Sequence, residues 1–150
     1  MTGNSSFDGW SPQGPVEELS DAACWALLSS SSMGRLALSV DNQPHIFPVD
    51  YFCDDDSIIF RTAAGTKLDD IAHNSIVAFE VDGRSTTANW SVVANGIALV
   101  VRDEAEIAAA DRGALPAWIP TAPYVYVRIQ PTYVRGRRFT HSLFSSSAHS

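Results

Sequence analysis

The chain has one lysine, Lys67, and it closes the stretch Arg61-Thr62-Ala63-Ala64-Gly65-Thr66-Lys67. Such a set suits a phosphate: Arg61 offers a guanidinium fork, Thr62 and Thr66 offer hydroxyls, and Gly65 allows close backbone approach. Ile58, Ile59 and Phe60 before it have strand character and the residues after Gly65 have helix character, so the first free N–H groups of that helix would face the same anion. The stretch is not a Walker A loop, because it lacks the Gly-Lys pair with a glycine five residues earlier, and no Gly-x-Gly-x-x-Gly pattern is present.

Other residues able to do chemistry read more simply as structure. His45 lies in a strand of alternating character, where a lone histidine is more often a hydrogen-bonding structural residue than a haem ligand or proton donor. His73 carries less signal still. Asp54-Asp55-Asp56 could hold a metal, yet it sits where a hairpin turn is expected and acidic residues favour the bend. The serines at 29–32 have no paired histidine and acid and read as a polar helix end. Trp90 at a strand start and Trp118 between Pro116 and Pro120 read as packing aromatics. No residue stands out as a catalytic acid, base or nucleophile.

The elements that must position these residues follow from pattern. Ser20 is an N-cap before an apolar helical stripe containing Cys24, Trp25, Leu27 and Leu28. From Gly34 the period changes to that of strands, expected at 34–40, 45–53 and 57–62 and joined by polar turns at 41–44 and 54–56. A short helix at 66–73, strands at 75–81 and 90–102, a helix at 103–111 stopped by Gly113 and a last strand at 124–135 complete the set; Gly96 marks a bulge or bend. Six strands with few, short helices predict a mainly β protein built as an antiparallel barrel, not a parallel sheet. One domain over residues 16–144 is expected, with Gly/Ser/Pro-rich arms at 1–15 and 145–150; Phe7 and Trp10 in the first could dock on a neighbouring subunit.

With 150 residues, 45% hydrophobic, the chain can bury a real core. Its formal net charge is −7 and its ten cations are dispersed, which argues against a nucleic-acid surface. Cys24 and Cys53 are expected as buried thiols in a reducing compartment, without zinc spacing. No window approaches the about 20 apolar residues of a membrane span and no leader pattern opens the chain, so a cytoplasmic protein is expected.

Across residues 19–139 the sequence resembles the flavin-binding split-barrel proteins related to pyridoxamine 5'-phosphate oxidase, in particular small actinobacterial-type members. The resemblance rests on Cys24-Trp25-Ala26-Leu27-Leu28, Met33-Gly34-Arg35-Leu36-Ala37, Pro44-His45-Ile46-Phe47-Pro48-Val49-Asp50-Tyr51, Phe60-Arg61-Thr62 with Gly65-Thr66-Lys67-Leu68, Trp90-Ser91-Val92 and Gly136-Arg137-Arg138. It implies a six-stranded split barrel and a homodimer with FMN at the subunit interface. The phosphate would be held by Arg61, Thr62, Thr66 and Lys67, the ring would lie against Pro48 and Val49, and Trp90, Ser91 and Arg137 would approach the cofactor. The implied activity is electron or hydride transfer to a small organic substrate, with catalytic residues unassigned. A deazaflavin on the same fold, or a non-catalytic module for flavin or haem, are the alternatives. Two positions depart from the family pattern: Asp50 stands where asparagine is usual and Asn89 where glycine is. Beyond Arg137 and Arg138 the sequence offers no clear second phosphate-binding set for a phosphorylated vitamin substrate, which favours a generic family activity over pyridoxamine phosphate oxidation.

Overall fold

A computed structural model describes residues 16–63, 65–113 and 124–141. In chain order the elements are β1 (Val16–Glu18), α1 (Asp21–Ser30), β2 (Met33–Val40), β3 (Gln43–Asp54), β4 (Ser57–Ala63), α2 (Thr66–His73), β5 (Ile76–Arg84), β6 (Ala88–Val100), α3 (Glu104–Asp111) and β7 (Tyr124–Thr140). All strand pairs are antiparallel, and β7–β4–β3–β2–β5–β6 close on β7 into a six-stranded barrel. The short β1, which the sequence pattern did not announce, pairs with the far end of β7.

Period-two alternation fills the barrel. Leu36 and Leu38, Val77, Phe79 and Val81, and Val92 and Ala94 point inward, with Tyr51 edge-on to Phe79 at a ring separation of 4.8 Å. β4 is buried on both faces: Ile58 and Phe60 face the barrel, while Ile59 joins Val101, Ala110 and Tyr126 under α3. That double burial explains the unbroken apolar run that opens β4.

Helix α1 plugs the barrel with Cys24 and Leu28. Ser20 caps it, accepting from the Ala23 N–H at 3.2 Å as the sequence predicts, and the Tyr51 hydroxyl donates to the Leu28 carbonyl. Gly136 lets the helix in: a Cβ there would sit 2.7 Å from Cys24 Sγ. The glycine therefore belongs inside β7, which continues to Thr140 instead of stopping near Arg135. The register shift at Asn95/Gly96 is the expected bulge, and the third helix is present where expected but starts one residue later, Asp103 serving as its N-cap and accepting from the Glu106 N–H instead of lying in the first turn.

The β2–β3 connection is tighter than the sequence suggested. Asp41 and Asn42 both take positive φ, 50° and 66°, and form a two-residue hairpin loop, so Pro44 lies in β3 opposite Ser39. The acidic run at 54–56 is a turn, with Asp55 at φ 54° and Asp54 held by Arg128 at 3.4 Å. Cys24 and Cys53 are free thiols, but Cys53 is half-buried, not fully buried as expected: it shares the inward face of β3 with Val49 and Tyr51 and packs against the margin of the core. Among the described residues no helix is long and apolar enough to cross a membrane. Trp118 and both expected arms lie outside the described residues.

Candidate functional site

The barrel opens between β3 and β4, and prolines account for where. β3 pairs with β4 from Tyr51↔Phe60 to Asp54↔Ser57 and no further, whereas its earlier half pairs only with β2. The Tyr51 N–H points toward β2, donating to Ser32 O, so even-numbered β3 residues direct their backbone groups to the opposite edge. Pro44 and Pro48 are both even, and each removes a donor that a ladder with β4 would need. Beyond Phe60, β4 is held by β7 alone, with Arg61 opposite Tyr126 and Thr62 opposite Val125.

Helix α2 covers this opening, packed on β2 and β4. Gly65 introduces it at φ 157°, ψ −158°, a conformation essentially reserved for glycine, and no side chain among the described residues caps its N-terminus. Its first N–H groups are thus available to an anion, against a competing Asp69 in the same turn. Lys67 is half-buried with Nζ 5.3 Å from the centre of the Phe47 ring and no ion pair among the described residues. Burial pushes its pKa below the ordinary 10.5, since a buried ammonium has lost water without gaining a counter-charge.

On the other side of the opening the Arg61 guanidinium lies 4.6 Å from the Tyr124 ring centre, and Tyr126 is its partner in register on β7. Both tyrosine hydroxyls donate to Asp111 Oδ1, at 3.0 and 2.8 Å. Burial first, then the Asp111 bond, pushes Tyr126 up to about 12, while Arg61 acts in the opposite direction. Thr62 is buried, its hydroxyl donating to its neighbour Ala63 O at 3.2 Å; Val49 is buried on β3 and Pro48 exposed beside it. Thr66 opens α2, and its side chain lies outside the described residues. Asp50 is half-buried, and burial raises its carboxyl toward neutrality. Asp70, three residues after Lys67, keeps one buried oxygen without a partner among the described residues.

Trp90, Ser91 and Arg137 form a second group on the β6–β7 wall, where Ser91 faces Arg137 and Trp90 faces Arg138. Trp90 and Ser91 line a cavity of about 300 Å³ with Asp82, Asn89 and Phe139, and Ser91 also lines a smaller one of about 140 Å³ with Arg135 and Arg137. Neither Arg61 nor Lys67 lines either cavity, so within one chain the two groups stand apart. The sequence pairing of Arg137 with Arg138 does not hold: adjacent strand residues point apart, and Arg138 lies 3.8 Å from Glu17 instead. Sequence reasoning also missed Phe47, Tyr124, Tyr126 and Arg135. Phe47 was within reach, one residue before Pro48, but the tyrosines come to Arg61 only through β4–β7 pairing.

A family model described as pyridoxamine 5'-phosphate oxidase matches residues 20–138. The chain belongs to that family. Among solved structures, an FAD binding protein from Mycobacterium smegmatis is 42% identical with a TM-score of 0.75, covering 84% of this chain and 100% of that one. An FAD-binding protein from Mesorhizobium loti is 27% identical, TM-score 0.75, over 83% and 99%. An uncharacterized protein of Mycobacterium tuberculosis is 32% identical over 137 residues, 85% of this chain and 90% of that protein. The pyridoxamine 5'-phosphate oxidase-family match runs from the cap of α1 into β7 and so spans both the β3–β4 opening and the β6–β7 wall.

Proposed function

We propose that the protein is a cytoplasmic flavin-dependent oxidoreductase, working as a homodimer with the cofactor at the subunit interface and acting on a small organic substrate. One observation carries the reading. Where β3 leaves β4, Arg61 and Thr62 stand on the β4 margin, and the α2 helix that follows carries Lys67 over Phe47 of β3, a half-buried ammonium that no carboxylate among the described residues neutralises. A phosphate there would return to Lys67 the counter-charge that burial withheld.

The residues present fit the group. Arg61, held on Tyr124 and Tyr126, and Lys67, held on Phe47, would bind phosphate oxygens, and Pro48 and Val49 would give the ring an apolar rest. When bound, a flavin supplies the electron-transfer chemistry, and the chain's own task is to anchor, orient and shield it. The dimer is favoured by the separation of Trp90, Ser91 and Arg137 from the phosphate group: a two-fold partner can bring one protomer's wall to the other's opening. The sequence resemblance favours FMN, and the names of two relatives favour FAD.

The test is a titration with FMN, FAD, a deazaflavin and haem, following flavin fluorescence or haem absorbance, for the wild type and for Arg61→Gln/Lys67→Gln. Flavin binding lost in the double variant is the expected result; binding of a flavin with unchanged affinity in that variant would discard the site. Light scattering at micromolar concentration checks the dimer, and a monomer would remove the composite arrangement. Substrate-dependent reoxidation separates an enzyme from a module that only sequesters the ligand.

A further inference from the structure

Arg135 and Arg137 lie two residues apart on β7, so their side chains share a face, and the β6 partners opposite them are Val93 and Ser91. Gly136 turns the other way, toward Cys24. Arg135, Gly136 and Arg137 of β7, with Ser91 and Val93 of β6, line the cavity of about 140 Å³. Arg135 is held in place over the Tyr133 ring, 5.2 Å from its centre.

The charges around this cavity are unusual for so acidic a chain. Arg35, Arg128 and Arg138 all lie within 4.0 Å of carboxylates, but neither Arg135 nor Arg137 forms an ion pair among the described residues. The carboxylates that register places on the neighbouring strand, Glu80 beside Val93 and Asp82 beside Ser91, are drawn to Arg35 at 2.7 and 3.3 Å. Glu18 on β1 is opposite Arg137, exposed and without an ion pair among the described residues. Arg135, exposed, and Arg137, half-buried, thus put two like charges on one strand face, with Glu18 the acid opposite Arg137 in register and no ion pair to either arginine among the described residues.

We infer that Arg135, Arg137 and Ser91 form a second anion site, a cradle for the oxyanion of a ligand whose organic body extends into the adjoining cavity of about 300 Å³. Ser91 lines both cavities, and Trp90 and Phe139 give the larger one flat apolar walls. The ligand class is therefore a planar organic phosphate or carboxylate. The oxyanion comes either from the second reactant or from the second phosphate of a dinucleotide flavin. This rests on the flavin reading for its place in a reaction, but the anion site itself is testable without it.

The probe is phenyl phosphate, measured by calorimetry on the full chain in an Arg61→Gln/Lys67→Gln background, which removes the other cationic group. Saturable binding is expected, weakened by about tenfold or more when Arg135→Gln and Arg137→Gln are added and by a few-fold with Ser91→Ala; circular dichroism confirms that each variant is folded. Absence of saturable binding, or equal affinity after the two arginine substitutions, overturns the site. FMN and FAD are then titrated into Arg135→Gln/Arg137→Gln alone: a loss of FAD affinity with FMN unchanged assigns the oxyanion to the dinucleotide, and both unchanged assigns it to the second reactant. Failure of the flavin reading is distinct, since neither flavin would bind the wild type while the phenyl phosphate result stood.

Discussion

The β6–β7 wall and the β3–β4 opening are built from the same kind of strand and end in opposite states. β6 and β7 stay paired from Ala88↔Thr140 to Val100↔Val127, absorbing one bulge on the way, whereas β3 and β4 separate after Tyr51↔Phe60. The wall closes the barrel over Phe79, Val92 and Ile129; the opening carries Arg61 on one margin and Lys67 on the other. This fold thus gains a place for polar chemistry where it gives up backbone pairing. Two prolines enforce that loss in β3, and α2 covers the gap without refilling it.

The contrast is most exposed to test at the opening. Arg61→Gln/Lys67→Gln should remove two charge-assisted contacts of about 1.5–3 kcal/mol each, so flavin affinity falls by orders of magnitude while the urea midpoint barely moves. A variant that lost stability in proportion would make these cations structural. The converse experiment is Phe79→Ala, at a fully buried position on the closed side. Its expected cost is about 3–5 kcal/mol in urea unfolding, with any flavin bound by the surviving folded fraction at normal affinity.

Smaller effects locate the boundary between the two regions. Tyr51 is the last β3 residue paired to β4 before the strands part, and its hydroxyl ties β3 to α1. Tyr51→Phe should destabilise by about 1–3 kcal/mol, because the buried Leu28 carbonyl loses its donor; a loss under half that would mean the carbonyl finds water. The state of Lys67 is readable from pH. Its native pKa is lowered while the unfolded chain keeps 10.5, so between those values the unfolded state binds more protons and stability rises with pH. The thermal midpoint of the ligand-free protein should therefore climb relative to Lys67→Met as pH approaches 10.5, and parallel curves would place the ammonium in water. Least affected of all should be Arg35→Ala, which breaks an exposed ion pair and is expected to cost under about 1 kcal/mol in the same urea assay.

Much of this is legible in the order of the amino acids. The Ser20 cap, the alternating strands, the helix at Thr66–His73 and the acidic-led helix ending at Asp111 are local signals, decided within four or five residues, and each recurs where the pattern placed it. The phosphate-binding stretch is legible for the same reason, since Arg61 to Lys67 is one continuous strand–turn–helix. Local patterns do not announce β1, because three residues carry no period, nor the length of β7, because Gly136 looks like a stop until Cys24 is seen against it. They also pair Arg137 with its sequence neighbour Arg138, when the pleat of a strand pairs it with Arg135.

A six-stranded antiparallel barrel, its capped helices and a cationic stretch suited to phosphate are written into short spans of the chain, because propensity, capping and alternation act over a few residues. Folding adds what those spans do not contain: Pro44 and Pro48 fall where the β3–β4 ladder would have continued, Tyr124 and Tyr126 brace Arg61 across β7, and Ser91, Arg135 and Arg137 meet on one face. Each of those depends on strand register, and register is set by how distant segments pack together around the common core, not by any segment alone.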